Sequence, residues 1–97
     1  MYLQLEDQVF WSDVPMAESL FIHKLAVSLE ARGTCVAQAL LEFAKFEVRR
    51  RGRQYLRLDC SKNAKIRAVY EKAGFKLRDI GEFFKMVVCR YEIDLAA

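Results

Sequence analysis

Residues 20–41, LFIHKLAVSLEARGTCVAQALL, decide the fold of this 97-residue chain. Their first eight residues are almost continuously apolar, which predicts a buried strand over Leu20–Val27. A turn over Ser28–Thr34 follows, and apolar residues then recur at the spacing of an amphipathic helix. Such a junction directs free backbone N–H groups and the positive end of a helix dipole to one place. Because Arg32 adds a full charge there, the junction is suited to an anion, and a phosphate fits it best.

The segments that follow alternate between helix and strand. The helix after the turn ends in the basic run Arg49–Arg53, whose glycine is a natural left-handed terminator, and Phe43 and Phe46 widen its apolar side for packing against a sheet. A strand over Gln54–Cys60 and a helix over Ala64–Ala73 come next. A strand, a long helix and a strand within about forty residues predict two parallel strands joined by a right-handed crossover.

The two ends of the chain predict further strands. A short N-terminal strand that ends near Asp7 leads into a loop over Ser12–Glu18. A strand over Phe75–Ile80, a turn at Gly81–Glu82 and a final strand over Phe84–Leu95 complete the chain. Strict alternation in the final strand assigns one face to Val87, Cys89, Tyr91, Ile93 and Leu95 and the other to Arg90, Glu92 and Asp94. The predicted fold class is α/β, a mixed sheet with a central parallel pair and β-α-β-α-β-β order after the short N-terminal strand.

The composition describes one small folded domain over residues 1–97. Apolar residues make up 54% and charged residues 30%, enough to bury about two thirds of the unfolded surface in one core. The net charge of +3 creates no field that would attract nucleic acid, and the run at 49–53 is typical of a solvated helix end. No apolar run reaches membrane-spanning length, so we expect no membrane partner. Cys35, Cys60 and Cys89 lie in apolar segments, which indicates reduced thiols in a cytoplasmic protein.

Two short segments carry candidate chemistry, and each allows two interpretations. The turn Arg32–Ala37 is either a phosphate cradle or an ordinary strand-to-helix turn with a solvated arginine, and it matches neither a Walker loop nor a dinucleotide fingerprint. Asn63 either contacts a polar ligand or only caps a helix. Tyr70, two helical turns later on the same face, either donates a proton or is a half-buried packing residue.

Together these segments resemble the GNAT superfamily of acetyl-CoA-dependent N-acetyltransferases over about Leu3 to Leu95. The pyrophosphate loop of that family reads Arg/Gln-x-x-Gly-x-Gly/Ala. The matching segments are Arg32-Gly33-Thr34-Cys35-Val36-Ala37 for that loop, IHKLAV for the fourth strand of the family, and LRLDC with Asn63, Tyr70 and Gly74-Phe75 for its fifth strand and fourth helix. Trp11–Asp13 (WSD) and Tyr91–Leu95 (YEIDL) fit a bacterial branch of the same group.

The resemblance implies a site between two splayed parallel strands. Acetyl-CoA would be the co-substrate, and no metal is implied. Its pantetheine would pair with strand backbone near residues 25–27, its pyrophosphate would lie on the N–H groups of residues 33–37, and Asn63 would contact the pantetheine. The implied cofactor-binding residues are Leu25, Ala26, Val27, Arg32, Gly33, Thr34, Cys35, Val36, Ala37, Asn63 and Tyr70. Tyr70 would protonate the departing thiolate as general acid, and His23 or Glu6 would be the base that takes the proton of the amine.

Two departures from the family pattern affect the expected function. Cys35 stands where the loop usually has a glycine, so its side chain is expected to weaken binding, or else to be a reactive thiol at a helix N-terminus. The chain begins about where the third strand of the family should, so we expect it to lack the usual N-terminal strands and helices. A sheet edge would then be exposed at Tyr2–Leu5 or Leu20–Val27, and a homodimer would cover it.

These observations favour transfer of an acetyl group from acetyl-CoA to a small amine or a peptide N-terminus by direct attack. One alternative is an acyl-CoA-binding or vestigial module with little or no turnover, because the acceptor-binding half is absent. Another is an interaction domain that retains only the fold.

Overall fold

The computed structural model of the protein describes residues 2–23 and 34–96, and these residues form five strands and two α-helices. The elements are β1 (Tyr2–Gln4), β2 (Ser19–His23), α1 (Thr34–Arg50), β3 (Tyr55–Cys60), α2 (Ala64–Lys72), β4 (Lys76–Phe83) and β5 (Met86–Asp94). A single 3₁₀ turn, Met16–Glu18, precedes β2. The predicted order of strands and helices is therefore confirmed.

The five strands form one mixed sheet in the order β1-β2-β3-β5-β4. β2 and β3 are parallel, with Ser19 beside Tyr55 and Ile22 beside Leu58, while every other neighbouring pair is antiparallel. The parallel pair requires a crossover, and α1 supplies it. The predicted central parallel pair is confirmed.

One face of the sheet packs against both helices and forms the main core. Strand alternation directs every second residue of β2, β3 and β5 to this face, and the helices meet it with their apolar stripes. Each large apolar side chain buried here contributes about 1.5–3 kcal/mol to folding. The buried residues of this core are Leu20, Ile22, Leu41, Ala44, Val48, Leu56, Leu58, Cys60, Tyr70, Phe75, Cys89, Tyr91 and Leu95.

The other face of the sheet is covered by the loop that joins β1 to β2. Trp11 and Val14 of this loop pack on Phe21 of β2. The Trp11 ring also contacts two buried arginines, with the Arg57 guanidinium 5.5 Å and the Arg90 guanidinium 4.7 Å from its centroid. These contacts attach the loop to the centre of the sheet.

The buried arginines are paired with acids from several elements. Arg57 binds Glu18 at 3.0 Å and Glu92 at 3.0 Å, and Arg90 binds Asp13 at 2.6 Å and also Asp79. A buried charge is tolerated only when it is paired and hydrogen-bonded, so these ion pairs make the burial of both arginines possible. Alternation had assigned Arg90 to an outward face, but it is 6% exposed because the loop covers that face.

Several boundaries differ from the sequence-based expectation. β1 ends at Gln4, well before Asp7, and β2 lies between β1 and β3, so Leu20–Ile22 is not a sheet edge and β1 is. The remaining part of the strand predicted over 20–27, and most of the turn predicted over 28–34, lie outside the described residues. Phe43 and Phe46 were expected to pack on the sheet, yet they are 53% and 58% exposed.

The predicted turn at Gly81–Glu82 is wrong. Both residues belong to β4, and the chain reverses instead at Phe84–Lys85, which have φ angles of 52° and 64°. Alternation had also placed Val87 on the core face, but it is 45% exposed beside this turn, and Val88 is buried instead. Glycine was a misleading signal, because two non-glycine residues adopt the left-handed conformation here.

The basic run after α1 is engaged within the chain. Arg50 and Arg51 pair with Glu47 at 2.9 Å and 3.2 Å. Arg53 donates hydrogen bonds to the carbonyl oxygens of Met16, at the start of the 3₁₀ turn, and of Ser19, just after it. The helix then ends at a glycine with a φ of 68°, as the sequence predicted.

The β4–β5 turn offers a test of this assignment. Two adjacent residues with positive φ favour the dipeptide Asn-Gly, so the double substitution Phe84→Asn/Lys85→Gly should raise the free energy of unfolding by about 1 kcal/mol in urea titrations. Phe84 is 76% exposed, so little burial is lost. The matched substitution Gly81→Asn/Glu82→Gly should destabilise, because a Cβ at Gly81 would lie 3.1 Å from the Phe83 ring. Stabilisation by the second pair instead of the first would contradict the assignment.

Candidate active site

The C-terminal ends of the two parallel strands bring His23 and Asp59 to the same face of the sheet. Phe21 and Arg57 are neighbours in the β2–β3 register. His23 lies two residues after Phe21 on β2, and Asp59 lies two residues after Arg57 on β3. Side chains two residues apart on a strand share a face, so both point to the face that the β1–β2 loop covers. The sequence singled out His23 as a candidate base and did not single out Asp59.

The loop adds a third titratable group, Asp7. Its carboxylate Oδ2 lies 3.5 Å from Nε2 of His23, and the Asp7 side chain is only 4% exposed. Its other oxygen, Oδ1, accepts hydrogen bonds from the backbone N–H groups of Val9 and Phe10 at 3.1 and 3.0 Å. Glu6, the other candidate base, is exposed. The buried acid beside the histidine is therefore Asp7 and not its neighbour.

Asp59 is held in an environment that opposes its ionisation. The pKa of Asp59 is raised to about 6, chiefly by burial and also by the nearby Asp7 carboxylate, while His23 acts in the opposite direction. A carboxyl that is destabilised in its charged form at the end of a parallel strand is typical of a functional site rather than of a packing residue.

Tyr70 approaches the same strand end from the opposite face of the sheet. Its ring lies in the main core, 6.1 Å from the ring centroids of both Phe75 and Tyr91, and it is 2% exposed. Burial raises the pKa of Tyr70 well above its usual range, and the nearby Cys60 and Asp59 contribute. The phenol therefore keeps its proton at neutral pH, as a general acid must.

The helix that carries Tyr70 is fixed at both ends. At its start, Oδ1 of Asn63 accepts hydrogen bonds from the N–H groups of Lys65 and Ile66 at 2.9 and 3.2 Å. At its end, Lys45 of α1 donates to the carbonyl oxygen of Ala73 at 2.7 Å. Asn63 thus acts as a helix cap, and the amide nitrogen is the part of its side chain that these bonds leave for a ligand.

Most of the predicted pyrophosphate loop lies outside the described residues. This applies to the cofactor-binding candidates Leu25, Ala26, Val27, Arg32 and Gly33. The remaining candidates of the loop, Thr34, Cys35, Val36 and Ala37, form the first turn of α1, in which Ala37 is buried and Val36 partly so. The N-terminus of α1 therefore begins within the segment that the sequence assigned to the anion.

Cys60 and Cys89 are free thiols that face each other across β3 and β5. Burial raises the pKa of the Cys60 thiol to about 12, so it is uncharged at neutral pH. Among residues 2–23 and 34–96, no three or more His, Cys, Asp and Glu side chains are arranged to hold a metal ion. In the same part of the chain, no helix combines the length and apolarity needed to span a bilayer.

Comparison with known proteins identifies the family of the chain and solved structures that share its fold. The sequence model of the acetyltransferase (GNAT) domain matches residues 4–77. This match covers most of the chain, so the chain belongs to the GNAT acetyltransferase family. The comparison with curated proteins finds no significant match.

Three solved structures share the fold. A protein from Agrobacterium tumefaciens assigned as an acetyltransferase is 26% identical with a TM-score of 0.64, over 79% of this chain and 57% of that one. A GNAT protein from Desulfovibrio desulfuricans is 23% identical with a TM-score of 0.65, over 81% and 54%. The Salmonella typhimurium acetyltransferase yncA, solved with acetyl-CoA, is 16% identical with a TM-score of 0.66, over 90% and 54%. The chain spans about half the length of the structures it matches.

The ionisation of Asp59 gives a testable pH dependence of stability. Below about pH 3.8 the carboxyl is neutral in both the folded and the unfolded protein. Between about pH 3.8 and 6 it ionises in the unfolded protein first, so the free energy of unfolding falls as the pH rises through this range. Asp59→Asn should therefore raise the free energy of unfolding at pH 7.5, by at most about 3 kcal/mol, and should change it little near pH 4. Urea unfolding at the two pH values measures this difference.

Glu82→Gln, which removes an exposed carboxylate of β4, controls for the change in net charge. An Asp59→Asn effect that is equal at pH 4 and pH 7.5 would show that the carboxyl is not destabilised by burial.

Proposed function

We propose that the protein transfers an acetyl group from acetyl-CoA to a primary amine. One observation carries the proposal, namely that a proton donor and a proton acceptor approach the C-terminal ends of β2 and β3 from opposite faces of the sheet. Tyr70 is the donor and His23 the acceptor. Membership of the GNAT acetyltransferase family supports the reaction class.

Acetyl-CoA is the proposed co-substrate. The support is the family match and the shared fold of the Salmonella protein, which was solved with acetyl-CoA bound. The pyrophosphate is expected at the start of α1, on backbone N–H groups of residues 33–37 with Arg32 beside it. The pantetheine is expected along residues 25–27 and near the side-chain amide of Asn63. No metal takes part in this proposal.

The proposed reaction is a direct displacement. The amine arrives as an ammonium ion, gives one proton to His23, and its nitrogen attacks the thioester carbonyl. A C–N bond forms, the C–S bond breaks, and the thiolate that leaves takes a proton from Tyr70. The nitrogen loses its second proton as the amide forms. The products are the N-acetylated amine, the free thiol of coenzyme A and one proton returned to solvent.

Two measurements test the proposal in sequence. Acetyl-CoA at a hundredfold excess over its dissociation constant should stabilise the protein by about 2.7 kcal/mol, which differential scanning fluorimetry detects as a higher melting temperature. Release of free thiol with a panel of amines then tests turnover. The panel includes small monoamines and a peptide with a free N-terminus, because both acceptors fit the proposal.

Tyr70→Phe should separate chemistry from packing. The ring stays in its core position, so the melting temperature and the acetyl-CoA shift should change little, while kcat falls by roughly 10²–10³-fold because the thiolate leaves unprotonated. The matched substitution Tyr91→Phe removes a hydroxyl that is bonded to Glu71 and Arg67 on the outer side of α2. It should lower stability without a comparable loss of kcat. A lost acetyl-CoA shift in Tyr70→Phe would assign Tyr70 to packing alone.

The alternative proposal is an acyl-CoA-binding or vestigial module with little or no turnover. It is supported by Cys35, which stands in the loop position where the family usually has glycine. An acetyl-CoA thermal shift without thiol release would favour this alternative. Absence of both would favour an interaction domain that retains only the fold.

We further propose that residues 1–97 act as one acyl-CoA-binding domain and that the protein is cytoplasmic.

We also propose that two copies of the chain associate along the outer edge of β1. The support for association is the outer position of β1 in the sheet and the groove beside it, which has a volume of about 400 Å³. The groove is lined by the apolar residues Leu3, Leu5, Leu20 and Phe43 and by the charged residues Glu47 and Arg51. Unpaired strand edges bind other strands, and an adjacent apolar surface adds to the contact.

Sedimentation velocity over a hundredfold range of concentration tests the dimer. We expect a dimer that Leu5→Lys dissociates, because a charge would replace an apolar side chain in the groove beside the edge strand. Phe84→Lys introduces the same charge at the hairpin that ends the opposite side of the sheet and should leave the dimer intact. A monomer at every concentration would refute the proposal.

A further inference from the structure

We propose that Asp7, His23 and Asp59 form an acceptor pocket in which Asp7 positions His23 to take a proton from a cationic amine. Asp7 is a positioning residue in this proposal, because it acts through the imidazole. The inference rests on the proposed function and goes beyond it by naming the residue that orients the base and the class of amine that the pocket accepts.

The two oxygens of Asp7 have separate tasks. Oδ1 closes the turn at residues 7–10 through its bonds to the N–H groups of Val9 and Phe10. The Asp7 backbone N–H is also engaged, because it donates to the sulfur of Met16 at 3.3 Å. The carboxylate is therefore oriented by the two hydrogen bonds to Oδ1, the backbone of the residue is held by the contact with Met16, and Oδ2 is directed toward His23. This is the arrangement of a group that orients a neighbouring side chain.

The two atoms that face each other, Oδ2 of Asp7 and Nε2 of His23, are both buried. In the described part of the chain, neither Oδ2 of Asp7 nor Nε2 of His23 has a hydrogen-bond partner, and both atoms are inaccessible to solvent. A buried carboxylate oxygen without a donor is costly, and it becomes favourable when a cation forms beside it. The imidazolium produced by proton transfer is such a cation, at a separation of 3.5 Å. Because Nε2 faces Asp7, Nδ1 is the nitrogen that accepts the proton.

Other charged groups near the imidazole come from the strands beside it. From β3, Asp59 shares the face of His23, and its pKa responds to both His23 and Asp7. Arg90 of β5 is near enough to act on Asp59, but its guanidinium is already bound to Asp13 and Asp79. From β1, the backbone neighbour of His23 is Tyr2. Within residues 2–23 and 34–96, the proposed base therefore lies beside two acids, Asp7 and Asp59, that form no ion pair with a lysine or arginine.

This charge pattern selects the acceptor. An ammonium group that approaches His23 comes near two acidic side chains and is attracted. A carboxylate on the carbon next to the amine would be brought close to the same two acids and repelled. The accepted class is therefore a primary amine without a neighbouring carboxylate, such as an alkylamine, a polyamine or a peptide N-terminus. Free α-amino acids are disfavoured.

Asp7→Asn is the central test, because asparagine keeps the oxygen that closes the turn and replaces Oδ2 with an amide nitrogen. The nitrogen donates a hydrogen bond and carries no negative charge, so it cannot stabilise an imidazolium. We expect kcat for phenethylamine to fall by roughly 10–100-fold at pH 7.5, with the KM for acetyl-CoA and the acetyl-CoA thermal shift unchanged. Glu82→Gln is the control for net charge.

The pH dependence distinguishes positioning from structural damage. The deficit of Asp7→Asn should shrink as the pH rises from 7 to 9.5, because a growing fraction of the amine then arrives without its extra proton. A deficit that is the same at every pH would overturn the assignment. In a His23→Gln background, Asp7→Asn should have no further effect on kcat, since a residue that acts through His23 has nothing left to orient. Additive losses would overturn the proposal as well.

Phenethylamine and phenylalanine differ only by the carboxylate and test the selectivity of the pocket. We expect kcat/KM for phenethylamine to exceed that for phenylalanine by at least roughly 10-fold, and Asp59→Asn to narrow the ratio. Equal use of the two amines, or thiol release with neither of them, would overturn the acceptor pocket. The acetyl-CoA thermal shift and thiol release with other acceptors are measured separately, so failure of the pocket can be told from failure of the acetyltransferase proposal.

Discussion

The parallel pairing of β2 with β3 is the constraint on which the rest of the structure depends. Both strands are covered on both faces, so their backbone groups must be satisfied by neighbouring strands and their side chains by packing. Parallel strands need a long crossover, and α1 provides it while supplying a stripe of the main core. The same pairing brings both C-terminal strand ends together, which makes His23 and Asp59 neighbours although they are far apart in sequence.

The loop face depends on a second interaction, the stacking of Arg57 and Arg90 on Trp11. Two buried guanidiniums are a burden for a small domain unless acids pair with them, and the acids come from the 3₁₀ turn, the loop, β4 and β5. This network holds the β1–β2 loop against the sheet. Because Asp7 belongs to that loop, the network also determines where its carboxylate lies relative to His23.

The candidate site contains groups that stability alone would not favour. Asp59 is buried where its charge is opposed, and facing atoms of Asp7 and His23 lack other partners within the described ranges 2–23 and 34–96. Elsewhere on the same face the buried charges are fully paired, as Arg57 and Arg90 are. Of the three buried side-chain polar atoms without a partner in these ranges, two lie at this strand end and the third is Nε1 of Trp11, so the strand end is the best candidate for a functional site.

The sequence by itself determined the order of strands and helices, the parallel pair, the helix-ending glycines and the candidates Tyr70 and His23, because periodicity and local conformational preference act over short stretches. Only the tertiary structure decided that Asp7 and not Glu6 faces His23, since both belong to a loop whose path depends on the packing of Trp11 against two distant arginines. It also decided that Arg90 is buried and that the hairpin turns at Phe84–Lys85. Those outcomes follow from long-range pairing and burial, which no local pattern encodes.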